Sequence, residues 1–173
     1  RDTLSALLAR FNYDPAGHAA KTMVHALTTL PHDLLLLFPA EERQRLVLTA
    51  MSLIDRPRPK LELVSGALGR HLFAFVWLLR DDVSTGRRET IAAMLCEAAN
   101  AALLGWSMAL DESGLALIRF TLDLRGEGHK PDADALDERL RRMLRGWLPA
   151  VEGALIDLGE GNRAAVLSQR FAN

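Results

Sequence analysis

The chain has 173 residues, 49% hydrophobic and 25% charged, which suits one globular domain with a small appendage. Its formal net charge of −1 provides no strong field for nucleic acid or an anionic membrane surface, so we expect neither as a partner. No apolar run approaches the ~20 residues that cross a bilayer, and a single cysteine, Cys96, rules out an intrachain disulfide and favours a reducing, cytoplasmic compartment.

The first third of the sequence predicts helices. Three apolar stripes at helical spacing fall there, at residues 4–11, 23–30 and 46–54. Residues 56–59, Arg-Pro-Arg-Pro, end this region because proline removes backbone donors and pushes the preceding residue into extended geometry. We therefore predict a helical segment over residues 1–57 and a second domain over 58–173. Because the chain begins at Arg1 rather than Met, we expect it to be a fragment of a longer polypeptide.

Beyond this boundary the hydrophobic pattern alternates between strand and helix. Four strands are predicted, at residues 61–65, 72–79, 106–111 and 115–124. Two helical stripes accompany them, at residues 85–103 and 136–151. Strand 115–124 is expected between 72–79 and 106–111, with 61–65 on the outer side of 72–79. This is an α+β fold, a ferredoxin-like four-stranded antiparallel sheet with helices packed on one face.

Strand 72–79 is almost continuously apolar, which is typical of a buried strand. Phe73, Phe75 and Trp77 are therefore core residues by default, as is Trp147 in the last helix. If the three aromatic residues of the strand faced outward instead, they would mark a contact surface for other domains.

Two glycine-containing patterns raise the possibility of nucleotide binding. Residues 159–164 fit G-x-G-x-x-A, but a dinucleotide site requires a strand at 154–158 and a long helix after the turn. Residues 17–22 resemble a phosphate loop only faintly, because no glycine directly precedes Lys21, which is expected to be a surface residue. A small nucleotide-dependent enzyme is thus an alternative that strand geometry at 154–158 would favour and helical geometry would exclude.

Three histidines recur every seven residues, at His18, His25 and His32. Seven residues correspond to a rise of ~10.5 Å along a helix, too far for two side chains to share one metal ion. We expect these histidines to pack or cap rather than to bind zinc, and we predict no metal site.

Residues 11–35 and 111–120 carry patterns that recur in one enzyme family. The first stretch matches the family at seven positions: Asp14, His18, Lys21, His25, Leu30, Pro31 and Asp33. The second, Asp-Glu-Ser-Gly-Leu-Ala-Leu-Ile-Arg-Phe, is similar to Ser-Glu-Ser-x-Leu-Ala-Arg-x-His-Phe of that family. Further similar pieces follow in order at residues 146–148, 154–160 and 169–172. By these segments the chain resembles the bacterial large-class NAD-specific glutamate dehydrogenases.

This resemblance implies a fold, a parent enzyme and a role. The corresponding region of the family is an ACT-like regulatory domain upstream of the catalytic core, so the segment itself is expected to hold no catalytic residue and no cofactor. The parent enzyme would convert L-glutamate to 2-oxoglutarate and ammonia with NAD. The segment would contact the remaining domains and subunits of an oligomer. A free-standing ACT-like amino-acid sensor is the alternative.

The resemblance also implies a ligand site in the loop at residues 80–88, where ACT-like domains commonly hold amino-acid effectors. Arg80, Arg87 and Arg88 are expected to receive the effector carboxylate, with Asp81 beside them. This loop is the candidate effector site of the sequence.

The same loop also fits a plainer interpretation. Asp81 and Asp82 have no histidine or nucleophile beside them in sequence, which indicates a solvated turn rather than an acid–base pair. Ser84 or Thr85 is then expected to cap the helix that follows.

Overall fold

The computed structural model describes residues 17–35, 37–110 and 114–157, and for residues 32, 33 and 147–157 only the backbone. The helices are α1 His18–Thr29, α2 His32–Leu35, α3 Ala40–Asp55, α4 Thr85–Ala99 and α5 Ala133–Asp157. The strands are β1 Lys60–Ser65, β2 His71–Leu79, β3 Ala102–Leu110 and β4 Leu115–Asp123, and a 3-10 turn, Arg80–Asp82, follows β2. The expected helix at residues 4–11 lies outside the described residues, and no described helix has the length and apolarity to cross a membrane.

The four strands form one antiparallel sheet in the order β1-β2-β4-β3. β2 pairs with β4 over its whole length, from His71 opposite Asp123 to Leu79 opposite Leu115. β2 and β3 are both antiparallel to β4 and therefore run parallel to each other, with α4 as the crossover between them. The predicted α+β, ACT-like architecture and its strand order are confirmed.

Each face of the sheet buries its own core. One core contains apolar side chains of all strands but β3 together with α4 and α5, among them Leu63, Leu72, Val76, Ile91, Phe120 and Leu140. The other contains alternate residues of the strands together with α1, α2 and α3, among them Met23, Leu35, Leu46, Phe75, Trp77 and Leu117. Helices α1, α2 and α3 thus cover the sheet face that α4 and α5 leave open.

The continuous apolar run of β2 follows from this double cover. A strand buried on both faces has no solvent side, so its side chains need not alternate. Phe73, Phe75 and Trp77 are 9%, 0% and 3% exposed, with their side chains against the helical segment. Their default assignment to the core is confirmed, and the outward-facing alternative is wrong; the side chain of Trp147 lies outside the described residues.

β3 begins at Ala102 instead of residue 106, because α4 ends earlier than its apolar spacing indicates. Asn100 adopts a left-handed conformation with φ of 47°, which terminates the helix. The Ala101 N–H then donates to the Cys96 carbonyl at 3.1 Å. The apolar residues just after Asn100 continue the helical spacing by coincidence, and they belong to the strand.

Candidate functional site

The loop predicted to hold an effector is fixed to the sheet at its first residue. The Arg80 N–H donates to the Gly114 carbonyl at 2.9 Å, which ties the 3-10 turn to the start of β4. The side chains of Arg80 and Asp81 project from this turn and are exposed. They are the residues of the loop best placed to meet a ligand from solvent.

Arg87, by contrast, is engaged within the loop. Its guanidinium donates to the Asp82 carbonyl at 2.9 Å and forms an ion pair with the Asp82 carboxylate. Its backbone N–H donates to the Ser84 hydroxyl at 3.2 Å, so Ser84, one of the two residues expected to do so, caps α4. Arg87 therefore stiffens the loop from the inside.

Arg88 lies against the sheet rather than beside Arg80. Its guanidinium carbon is 4.2 Å from the centroid of the Trp106 ring on β3, within the range of a cation–π contact. A terminal nitrogen of the same group lies 3.2 Å from the Glu89 carboxylate. The structure thus places the four predicted residues on one segment, and it gives Arg87 and Arg88 partners within the chain.

The outer edge of β1 is closed by charged side chains, which the sequence did not indicate. Asp137 of α5 is 3% exposed and accepts hydrogen bonds from the Leu61 N–H at 2.8 Å and the Lys60 ammonium at 3.2 Å. Arg45 of α3 donates to the Leu63 carbonyl at 3.0 Å. Because these side chains occupy two of the outward backbone groups of β1, addition of another strand at this edge is disfavoured.

The opposite edge, β3, is exposed and apolar. Five large apolar side chains on it are between 37% and 52% exposed: Leu103, Leu104, Trp106, Met108 and Leu110. We call these five the β3 surface. They make up half of the exposed large apolar side chains among the described residues. Trp106 and Met108 pair with Phe120 and Ile118, so they continue the core beneath α4 and α5 beyond its cover.

Two adjoining cavities lie on the sheet face that α1 covers, at the C-terminal end of that helix. The larger, about 360 Å³, is lined by residues of α1 and three strands: His25, Thr28, Thr29, Trp77, Ala109, Leu110, Leu115 and Leu117. The smaller, about 160 Å³, shares Thr29, Ala109 and Leu117 with it and adds Leu30, Pro31, Ser107, Met108 and Arg119. Sequence reasoning missed this site, because its residues come from three distant segments.

The remaining sequence-predicted residues are dispersed. Lys21 and His18 are exposed on α1, and His25 is half-buried. The side chain of His32 lies outside the described residues, and the described part of the chain contains no cluster of three metal-ligating side chains.

Burial raises the pKa of the Cys96 thiol, and a hydrogen bond from the Leu103 backbone partly offsets this increase. The reactive thiolate is therefore disfavoured at neutral pH.

The nucleotide interpretation does not fit the backbone. It required a strand at residues 154–158, whereas α5 continues as a helix to Asp157. Residues 159–164 lie outside the described residues. The helix excludes the strand–turn–helix arrangement on which a dinucleotide site depends.

Comparison with known proteins adds family information to this geometry. Residues 60–148 match the family model described as glutamate dehydrogenase, ACT2 domain, and residues 1–56 match glutamate dehydrogenase, helical motif 1. The chain is 31% identical over 175 residues to an NAD-specific glutamate dehydrogenase of Halomonas elongata. That alignment covers 99% of the chain and 11% of the relative, so the chain spans about one ninth of the relative's length.

Proposed function

Because the chain belongs to the NAD-specific glutamate dehydrogenase family, we propose that it is a non-catalytic regulatory and scaffolding segment of such an enzyme. The parent reaction is the oxidative deamination of L-glutamate to 2-oxoglutarate and ammonia with NAD, in the cytoplasm. NAD and the catalytic groups then belong to other parts of the polypeptide. Within the segment, residues 1–57 form a helical unit and residues 58–173 an ACT-like unit.

The β3 surface carries the scaffolding part of this proposal. All five of its apolar side chains are exposed, and Trp106 and Met108 extend a buried core to the sheet edge, a feature typical of a protein contact site. The β1 edge is closed by Asp137 and Arg45, so β3 is the edge that remains suited to a partner. The partner we propose is a neighbouring domain of the same polypeptide, because the matched relative is about nine times longer than the region matched.

Replacing Met108 and Leu110 with glutamate tests this surface. Both side chains are about half exposed, so the unfolding free energy of the 173-residue chain is expected to change by no more than about 1 kcal/mol. In the full-length parent enzyme the same double substitution buries two charges at a contact, and we expect thermal inactivation to become at least about tenfold faster.

The matched control is Leu68→Glu, at a side chain 80% exposed in the turn between β1 and β2. It is expected to leave both the chain and the parent enzyme unchanged. If the parent enzyme carrying the double substitution were inactivated at the wild-type rate, no domain would cover β3.

The regulatory part of the proposal is an amino-acid effector site on the loop at residues 80–88. Arg80 would bind the effector carboxylate and Asp81 its ammonium group, since both side chains are exposed on one turn. Arg87, paired with Asp82, holds the turn in place, and Arg88 flanks the site from α4.

We expect glutamate or another amino acid to raise the melting temperature of the chain through binding at this loop. Arg80→Gln removes a charged donor and is expected to weaken binding at least about tenfold. A thermal-shift titration measures both, with Arg70→Gln, an exposed arginine in the preceding turn, as the control. An unchanged response in Arg80→Gln would place the effector elsewhere.

A further inference from the structure

Arg119 lies in the smaller cavity of the sheet face covered by the helical segment. It sits on β4 opposite Phe75 of β2 and Ser107 of β3, so its side chain shares the face of Leu117. Its Nε atom is buried and has no hydrogen-bond partner. Among the described residues, no hydrogen bond or ion pair is formed by its guanidinium.

The surroundings of Arg119 make this arrangement costly in the absence of a counterion. Its strand neighbours are a fully buried phenyl ring and a serine, and the cavity wall adds Leu30 and Pro31 from the end of α1. Guanidinium carries five donors, and of these the Nε–H of Arg119 is buried without an acceptor, while the half-buried side chain leaves its terminal nitrogens free to bind a ligand in the cavity. Arg43, whose Nε is also buried and unpaired, differs because its Nη1 donates to the Leu35 carbonyl at 3.4 Å.

The adjoining larger cavity indicates which other chemical groups a ligand that supplies this acceptor would carry. Its floor is apolar, formed by Trp77, Leu115 and Leu117. Thr28 and Thr29 also line it, and their hydroxyl groups donate to the His25 and Ala26 carbonyls, at 2.7 and 2.9 Å. Their oxygens can therefore accept a hydrogen bond but have no free proton to donate.

We propose that these two cavities form a single site for a small organic carboxylate with an apolar body. The carboxylate binds the Arg119 guanidinium, whose planar fork matches two carboxylate oxygens. The apolar body fills the space beside Trp77, and Thr29, which lines both cavities, accepts from any ammonium group that the ligand carries. The site lies on the sheet face opposite α4 and α5, and it does not depend on a ligand at the loop of residues 80–88.

This position gives the site a structural consequence. Its walls come from α1 in the helical segment and from β3 and β4 in the ACT-like sheet. A bound carboxylate therefore connects two parts of the chain that are far apart in sequence. Binding is expected to stabilise the packing of α1 on the sheet.

Isothermal titration of the 173-residue chain with leucine, 4-methyl-2-oxopentanoate and leucinamide tests the proposal. The first two share an apolar body and a carboxylate, and the third replaces the carboxylate by a neutral amide. We expect saturable binding of at least one carboxylate and binding of the amide at least about tenfold weaker. Comparison of leucine with the oxo acid then shows whether the ammonium group contributes.

Arg119→Met is the decisive variant, because methionine keeps an unbranched side chain and removes the charge. It is expected to abolish carboxylate binding and to leave the ligand-free chain at least as resistant to urea as the wild type. An arginine that served only the chain's own packing would instead give a less stable variant. Arg70→Met, at an exposed position, is the control and should bind as the wild type does.

Three results would overturn the proposal. The first is that neither carboxylate binds saturably, and the second is that Arg119→Met binds the carboxylate as tightly as the wild type does. The third is that the chain binds inorganic phosphate but no organic carboxylate. Loss of binding in Arg80→Gln but not in Arg119→Met would assign the ligand to the loop at residues 80–88 and likewise refute the cavity site.

Discussion

Replacing Phe75 with alanine is expected to lower the free energy of unfolding by about 4 kcal/mol, in the middle of the range for a buried phenylalanine. The side chain is 0% exposed at the centre of β2. Its ring lies 6.3 Å from the Trp77 ring in a stacked arrangement and 6.1 Å from the Phe38 ring edge-on. The substitution leaves a cavity between the sheet and the helical segment that these rigid rings are poorly able to fill.

Urea unfolding followed by circular dichroism measures this loss. Leu68→Ala, in an 80% exposed side chain, is the control and should change the unfolding free energy by less than about 0.5 kcal/mol. Phe120→Ala probes the opposite face of the sheet at equal burial. A large loss for Phe120→Ala with a loss below about 1 kcal/mol for Phe75→Ala would mean that the helical segment does not cover its face.

Replacing Asp137 with alanine is expected to cost about 3 kcal/mol of unfolding free energy, at the lower end for breaking a buried ion pair. The carboxylate bonds the Leu61 N–H and the Lys60 ammonium and also pairs with Arg141. Its removal leaves a strand-edge N–H without its acceptor. It also leaves the ammonium of Lys60, whose side chain is 16% exposed, without its nearer carboxylate. The remaining Glu62 carboxylate, 3.7 Å from that ammonium, limits the loss.

Two variants separate charge from hydrogen bonding at this position. Asp137→Asn keeps an acceptor for the Leu61 N–H and should lose roughly half as much as Asp137→Ala. Asp134 is exposed in the first turn of the same helix, where its carboxylate interacts favourably with the helix dipole. Asp134→Ala is therefore expected to cost at most about 1 kcal/mol of unfolding free energy. Equal stability of Asp137→Ala and Asp134→Ala would contradict the role of the buried network.

The candidate sites were predictable only where their residues are neighbours in sequence. The loop at residues 80–88 was identified because Arg80, Asp81, Arg87 and Arg88 are close along the chain and follow a recognisable strand. The same proximity did not indicate that Arg87 would pair with Asp82 or that Arg88 would lie over the ring of Trp106. The contact between Arg88 and Trp106 depends on how α4 lies against the sheet, which no local pattern encodes.

Local sequence patterns were sufficient to predict most of the elements and their order. Hydrophobic periodicity indicated α1, α3, α4, α5 and all four strands, but not the four-residue α2. The Arg-Pro-Arg-Pro stretch marked the interval between α3 and β1, and Ser84 was one of the two residues expected as a cap. These features are local, because a stripe, a proline or a capping hydroxyl acts on residues within one or two turns. The strand order also followed, since few connections between such elements are physically accessible.

Long-range packing, in contrast, sets how the second face of the sheet is covered and which residues lie beneath that cover. Helices α1 to α3 pack on Phe75, and Asp137 accepts a hydrogen bond from the N–H of Leu61, 76 residues away in sequence. Arg119 lines a cavity together with residues at the end of α1. A helical stripe reveals that one side of a helix is buried, but not the surface that buries it. These pairings are set by packing between distant segments, and the exposed β3 and the Arg119 cavity are consequences of that packing.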